Sequence, residues 1–254
     1  MKKSVTPMLV LAALVVAAVM AIGNSTDQTL PFSQDWSNAA LITTNNDWSG
    51  VPGIVGFLGD NTASNTTGVD PQTLTTDLGS GTPFVFANQS NPTTFVSGGP
   101  VEYDGISNPT IGMQGSGTAD APHLIIYINS TGKQSLVLAY NLRDIDCQTF
   151  TGIQQQFNAQ YRVGNAGSWT NIAGGYVSNA SDGVSGSCTL VTPMSLPLPA
   201  ACDNQADVEL RILTTNAVST DETIGVDDIS VTGQDIPTAT SKASWGKVKT
   251  LFRY

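Results

Sequence analysis

Residues 134–144 read QSLVLAYNLRD, and residues 157–163 read FNAQYRV. In the first, Leu136, Leu138, Tyr140 and Leu142 occupy alternate positions; in the second, Phe157, Ala159, Tyr161 and Val163 alternate with Asn158, Gln160 and Arg162. Successive side chains of a strand point to opposite faces, so a period of two predicts half-buried β-strands, whereas a helix would scatter the same residues around its axis. HLIIYIN (123–129) and VELRILT (208–214) read the same way, with Val208, Leu210 and Ile212 expected inward and Glu209 and Arg211 expected toward solvent. From Leu30 to Gly233 short segments of this kind are separated by Gly/Asn/Asp/Pro clusters, without sustained helical periodicity. Eight or more strands over about 200 residues predict an all-β fold, an antiparallel two-sheet sandwich of jelly-roll type.

One strand breaks its own pattern. In IGVDDISVTG (224–233) the apolar positions run Ile224 and Val226, then change phase to Ile229 and Val231. A residue must be absorbed at Asp227-Asp228, which is what a β-bulge does. Two adjacent acids there cannot both be buried unpaired, because an unpaired buried carboxylate costs several kcal/mol. One reading makes them a pair of Ca²⁺ ligands, since hard cations take carboxylate oxygens from loops and strand ends. The other leaves one Asp exposed and bonds its neighbour to backbone amides or to an arginine.

Composition narrows the function classes. The chain has 254 residues, of which only 12% are charged, with 25 Gly, 13 Pro, a single His, three Cys and a net charge of -10. The negative balance argues against nucleic acid as a partner of the acidic body. One histidine and three cysteines do not supply a His-rich metal centre or a zinc-finger array. Lys2 and Lys3 precede an apolar run, Met8 to Val19, that ends at Val19-Met20-Ala21, so residues 1–21 read as a signal peptide forming an N-terminal signal helix. The run is shorter than the ~20 residues of a membrane span, and no span is expected in the mature chain. The expected location is secreted or cell-surface. In that oxidising setting Cys147, Cys188 and Cys202 allow three pairings; a loop staple between Cys147 and Cys188 is favoured over Cys188 with Cys202.

Charge is segregated along the chain. Residues 22–241 carry four bases (Lys133, Arg143, Arg162, Arg211) against all 20 acids, a net -16, while Lys242, Lys247, Lys249 and Arg253 crowd the end. The expected organisation is a sandwich module over 22–233, a polar linker over 234–244 and a basic amphipathic tail over 245–254. In the tail Trp245, Val248, Leu251 and Phe252 stand at near-helical spacing among Lys247, Lys249 and Arg253. Its W-G-x-x-K-x-L-[YF]-R pattern is similar to an ending found on assorted secreted bacterial proteins, which implies sorting or surface attachment. A tail that docks on its own sandwich through Trp245 and Phe252 is the other reading.

The segments NNDWSGVPGIVGFLGD, NPTIGMQGSGTADAPHLIIYINSTG, LVLAYNLRDID, QFNAQYRVG, WTNIAGGYVSNA, LPAACDNQADVELRILTTNA and DETIGVDDISVTG together resemble an accessory β-sandwich module of secreted bacterial multidomain proteins. Such modules occur beside extracellular nuclease and lamin-tail domains. The resemblance spans about Leu30 to Gly233 and implies no activity of its own. More loosely, the V-D-D-I strand is similar to that of meprin-type adhesion modules and carbohydrate-binding jelly rolls, where an acid of this strand can hold a structural Ca²⁺ with residues near the domain's start. That likeness adds Asp35 to Asp227 and Asp228 as an expected ligand.

Catalysis is poorly supported by the residue inventory. A glycosidase needs two carboxylates about 5–10 Å apart, and the pairs closest in sequence are Asp144/Asp146 and Asp227/Asp228. A Ser-His-Asp triad would have to use His123, at the start of an apolar strand, where a structural role is expected. A glycan-binding surface would stack sugars on exposed aromatics, for which Trp169 and Tyr176 are the expected residues, with Trp36 and Trp48 as further candidates; burial in the core is the competing reading for each. The sequence therefore predicts a non-catalytic binding or adhesion module, with a Ca²⁺-stabilised carbohydrate-binding protein and an accessory part of an extracellular hydrolase or nuclease system as alternatives. Its expected partner is an extracellular glycan or cell-surface component.

Overall fold

The alternating segments form strands in a computed structural model that describes residues 22–60, 67–147, 154–181, 188–218 and 221–237. The expected signal peptide (1–21), most of the expected linker and the expected tail with Trp245, Lys247, Lys249, Phe252 and Arg253 lie outside the described residues. In chain order the strands are β1 (Gln28–Thr29), β2 (Phe32–Gln34), β3 (Ile54–Phe57), β4 (Gly99–Tyr103), β5 (Thr110–Gln114) and β6 (His123–Asn129). They continue as β7 (Lys133–Asp144), β8 (Phe157–Val163), β9 (Thr170–Asn171), β10 (Val191–Pro197), β11 (Val208–Thr214) and β12 (Ile224–Asp235). One sheet has the order β1-β6-β11-β8-β9, with β3 also on β6; the other has the order β10-β7-β12-β5-β4, with β2 also on β12. Pairing between these strands is antiparallel apart from the short parallel β1–β6 contact. The fold is a two-sheet sandwich of jelly-roll type.

The core lies between the sheets and follows the period of two. Leu124, Ile126 and Ile128 of β6, Val208, Leu210 and Ile212 of β11, and Leu136, Leu138, Tyr140 and Leu142 of β7 share one buried cluster with Ile224, Val226, Ile229 and Val231 of β12. Trp36 and Trp48 close it at one side, their rings edge-to-face at 6.3 Å, with Trp36 Nε1 donating to Val226 O and Trp48 Nε1 to Phe84 O. A buried indole needs such an acceptor, because an unbonded N–H in the core costs about 1–3 kcal/mol.

The phase change in β12 is a bulge. Asp227 pairs with Asn141 and Ser230 with Ala139, so Asp228 and Ile229 together face the single residue Tyr140. Asp228 absorbs the extra residue in the left-handed region, φ 50°, where Asp is tolerated better than a branched side chain. The bulge also marks where the other edge of β12 changes partner, from β5 at Ile224–Val226 to β2 at Ile229–Val231. β12 runs to Asp235, two residues past the expected boundary at 233, and Ile236 N–H still bonds Gly132 O. The segment after Trp169 differs from a hairpin: Thr170, Asn171 and Val177 all pair along β8, with Gly174 and Gly175 forming the detour between them.

Among the described residues β10, at the edge of the second sheet, pairs only with β7, and it carries Pro193 and Pro197. Cys147, just past β7, is joined to Cys188, just before β10, and Cys202 is a buried free thiol. The bond closes a sequence separation of 41 residues, which the chain-entropy account values at ~4 kcal/mol. Replacing both cysteines with serine is therefore expected to lower the unfolding free energy from urea titration by about that amount, and the urea midpoint with it, while the native strand signal persists; an unchanged midpoint would show that the bond does not constrain the protein.

Candidate functional site

The outer face of the first sheet departs from the expectation of solvent exposure. Glu209 is 3% exposed and Arg211 0%, and Asn158, Gln160, Arg162 and His123 are buried beside them. The alternation in VELRILT and FNAQYRV is real, but the polar side is roofed by residues 70–78 and by Trp169. Arg211 donates Nη1 to Thr76 O at 3.0 Å and Nη2 to Leu74 O at 2.5 Å, and bonds Gln160 Oε1 through Nε at 2.9 Å. Gln160 Nε2 bonds Leu74 O and Asn171 Oδ1, and Trp169 N–H bonds Thr75 O.

Trp169 is held in this layer. The guanidinium carbons of Arg162 and Arg211 lie 4.3 and 4.4 Å from its ring centroid, and its Nε1 donates to Asp77 Oδ1 at 2.9 Å. Arg162 bridges Asp77 at 2.8 Å and the buried Glu209. Burial raises Glu209, offset by its bond to Arg162. Burial alone would raise Asp77 too, but the Trp169 N–H bond and the Arg162 charge outweigh it and hold that carboxyl below its ordinary range.

Where the roof reaches the end of the sheet it leaves a groove of about 660 Å³, lined by Asn46, Phe57, Asp60, Asp77, Ser80 and Thr82 among others. A neighbouring recess of about 320 Å³ continues it over His123, Ile125, Tyr127 and Arg162. Phe57 is common to both and stacks on the His123 ring at 5.2 Å. The bend that opens the groove needs glycine at 59, which has φ +60° and where a Cβ would sit 1.9 Å from Ala121 O. Asp60, Asp77, Ser80 and Thr82 offer oxygen acceptors and hydroxyls around an aromatic ring. That combination suits a polyhydroxylated ligand, which needs hydrogen bonds at its hydroxyls and a flat apolar surface for its C–H face.

The sequence-predicted site residues fall elsewhere. Trp169 is only 2% exposed, so it is not a stacking platform; the guanidinium groups of Arg162 and Arg211 lie over its ring. Tyr176 is half-buried and its hydroxyl donates to Gln156 Oε1. Trp36 and Trp48 are core residues. The acids at the bulge do not form a shared ion site with Asp35. Asp227 is buried, its Oδ2 bonded by Arg143 Nη1 at 2.5 Å and Asn108 Nδ2 at 3.0 Å, its Oδ1 accepting from Asp228 N–H at 2.8 Å. Burial raises its carboxyl, and the Asp228 amide and Arg143 pull the other way. Asp228 is exposed and accepts from Asn141 Nδ2, while exposed Asp35 turns to Ser37 N–H and Oγ, which lower it. The bulge keeps both Asp side chains on the outer face of β12, beside Asn141 and Arg143, and a guanidinium fills the place expected for an ion. Among the described residues, the acids whose oxygens do converge are Asp144, Asp146 and Glu222.

Burial also shifts the free thiol and the single imidazole. Cys202 is pushed up to about 12 by burial and by Asp203, so its thiolate is not accessible near neutral pH. His123 is pulled down to about 3 by complete burial and by the Arg211 charge, with Nδ1 against Ala121 O at 2.9 Å.

No protein-family model matches the chain, and no curated protein sequence matches it. Among solved structures it is similar to the K2 cleaved adhesin domain of Lys-gingipain, at 11% identity and a TM-score of 0.42 over 81% of this chain and 99% of that one. It is also similar to a Caldicellulosiruptor saccharolyticus carbohydrate-binding module solved with mannohexaose (13%, TM-score 0.35, 58% and 89%). A third is a carbohydrate-binding module specific for non-crystalline cellulose (14%, TM-score 0.36, 58% and 96%). Likenesses of this size say nothing of what this chain binds.

The buried imidazole has a pH signature. Unfolded His123 takes up a proton as pH falls through 6.5, whereas the folded protein resists until about 3, so the unfolded state binds more protons across that window. The stability it contributes is complete above pH 6.5 and is lost as pH drops toward 3. A His123→Gln variant is expected to show a shallower fall in melting temperature between pH 7 and pH 5 than the parent; equal slopes would mean that the ring is solvated.

Proposed function

We propose that the chain is a non-catalytic, secreted or surface-held binding module whose groove takes an extracellular glycan. The observation that carries this reading is the composition of the groove: Phe57 at its floor, with Asp60, Asp77, Ser80 and Thr82 around it. Carboxylates and hydroxyls accept from and donate to sugar hydroxyls, and an aromatic face receives the C–H side of a pyranose. With two carboxylates on the wall, neutral sugars are favoured over sulfated or uronate-rich ones, which would be repelled. The apolar leader and the basic tail fit export followed by sorting or docking. No helix of the described residues is long and apolar enough to cross a membrane. The inert His123 and Cys202 support a role in capture over one in cleavage.

The purified protein is expected to retain neutral glycans on an array, with micromolar to millimolar affinity by calorimetry. Ser80 is exposed on the groove wall, so Ser80→Trp fills the site at a stability cost within about 0.5 kcal/mol. It should reduce affinity at least tenfold with an unchanged melting temperature. A protein that retains no glycan, or a Ser80→Trp variant that binds as the parent does, would overturn the reading.

A further inference from the structure

The period of two that sends Leu124, Ile126 and Ile128 into the core turns His123, Ile125 and Tyr127 of β6 to the outer face of the first sheet. The bonds that fix the roof come from Gln160 on β8, Arg211 on β11 and Trp169, and the recess opens beside them along this outward face of β6. Phe57, stacked on His123, stands at one end of the recess, and half-buried Tyr127 at the other. At about 3.3 Å per residue, Tyr127 lies roughly 13 Å along the strand from His123. Phe57 and Tyr127 are therefore too far apart to meet the same sugar ring.

The groove carries a further ring. Phe84 N–H bonds Gly56 O at 2.8 Å and Pro83 bridges Phe57, which sets half-buried Phe84 beside β3, where it lines the groove together with Phe57. Phe57, Asp77 and Ser80 belong to both groove and recess, so the volumes of about 660 and 320 Å³ adjoin. Sites for one drug-sized ligand occupy roughly 300–1,000 Å³, so the groove alone exceeds what a single sugar fills, and the recess adds to it. The cation of the recess is already committed, Arg162 being bonded to Asp77 at 2.8 Å and to Glu209. Burial, then the Glu209 charge, raise Tyr127, so its hydroxyl stays protonated and donates to a sugar oxygen. With Asp77, Asp207 and Glu209 close to that hydroxyl, the recess disfavours anionic sugars as the groove does.

We infer, on the glycan reading of the groove, that groove and recess form one cleft for a linear chain of neutral sugars, with Tyr127 the ring that reads its length. A unit over Phe57 reaches Asp77 and Ser80, which face both volumes, and later units run past Ile125 to Tyr127. A single sugar at Phe57 gains nothing from Tyr127, whereas a longer chain adds that ring and its hydroxyl donor. The ligand class is thus an oligosaccharide stretch, distinguished from a monosaccharide by affinity that grows with chain length.

The test is calorimetric titration of the purified full chain with glucose, mannose and xylose homo-oligosaccharides of one to six units, and with graded fragments of any glycan retained on the array. In the series that binds, affinity is expected to climb at least tenfold from monosaccharide to tetrasaccharide and then level off. Tyr127→Leu keeps apolar packing beneath the ring and should cut tetrasaccharide affinity about tenfold, flattening the climb, while Tyr127→Phe should preserve it. Ser80→Trp, on the wall shared by both volumes, should weaken every length. Equal affinity for monosaccharide and tetrasaccharide overturns the extended cleft and leaves the glycan reading of the groove standing. A climb that survives in a folded Tyr127→Leu variant does the same. A parent that binds no member of any series and no array glycan overturns both. The chain-length profile is read on the parent protein, so the outcome does not depend on a variant folding.

Discussion

A guanidinium with no exposed surface must satisfy its donors within the protein, and Arg211 does so by binding the backbone carbonyls of Leu74 and Thr76 and the side chain of Gln160. Leaving it unpaired would cost several kcal/mol, so the segment that supplies those carbonyls has to lie where it does. From that constraint follow the roof over the first sheet, the packing of Trp169 against two arginines and the position of Asp77 at the rim. Burial lowers Arg211 to about 9, since only two nearby carboxylates, Asp77 and Glu209, offset the loss of water and the Arg162 charge. The groove is what remains where the roof ends.

The strands and the sandwich could be read from the sequence because a period of two is a direct image of which side chains meet the core. The bulge was legible for the same reason, as a change of phase between Val226 and Ile229. The roof was not. Glu209 and Arg211 alternate with Val208, Leu210 and Ile212 in the pattern of any solvent-facing side, and the segment that covers them is gripped through main-chain carbonyls that every residue possesses. Its own sequence has no strand or helical periodicity to mark it.

The candidate sites divide along the same line. Trp169 and Tyr176 stand near Gly-rich stretches in the sequence, which suggested exposure; only the tertiary pairing of Trp169 with Arg162, Arg211 and Asp77 reveals its burial. Asp227 and Asp228 drew notice because they are adjacent, and the bulge does put both on the outer face of β12, but Arg143 and Asn108 bind the buried one, Asn141 binds the exposed one, and Asp35 turns to Ser37. Asp144 at the end of β7, Asp146 two residues on and Glu222 just ahead of β12 converge instead. The useful signal was the continuation of the inward positions beyond Leu142 into Asp144 and Asp146, where hydrophobic residues give way to acids without a change of phase.

Backbone bonds at Leu190 and Leu198 show that the even-numbered positions of β10 face β7, which turns Val191, Pro193, Ser195 and Pro197 to the rim. Two of these four positions lack an N–H, so the rim cannot offer a continuous ladder to a strand from another molecule. Copies that meet along this edge are therefore denied the sheet-to-sheet annealing that would bury them in one another.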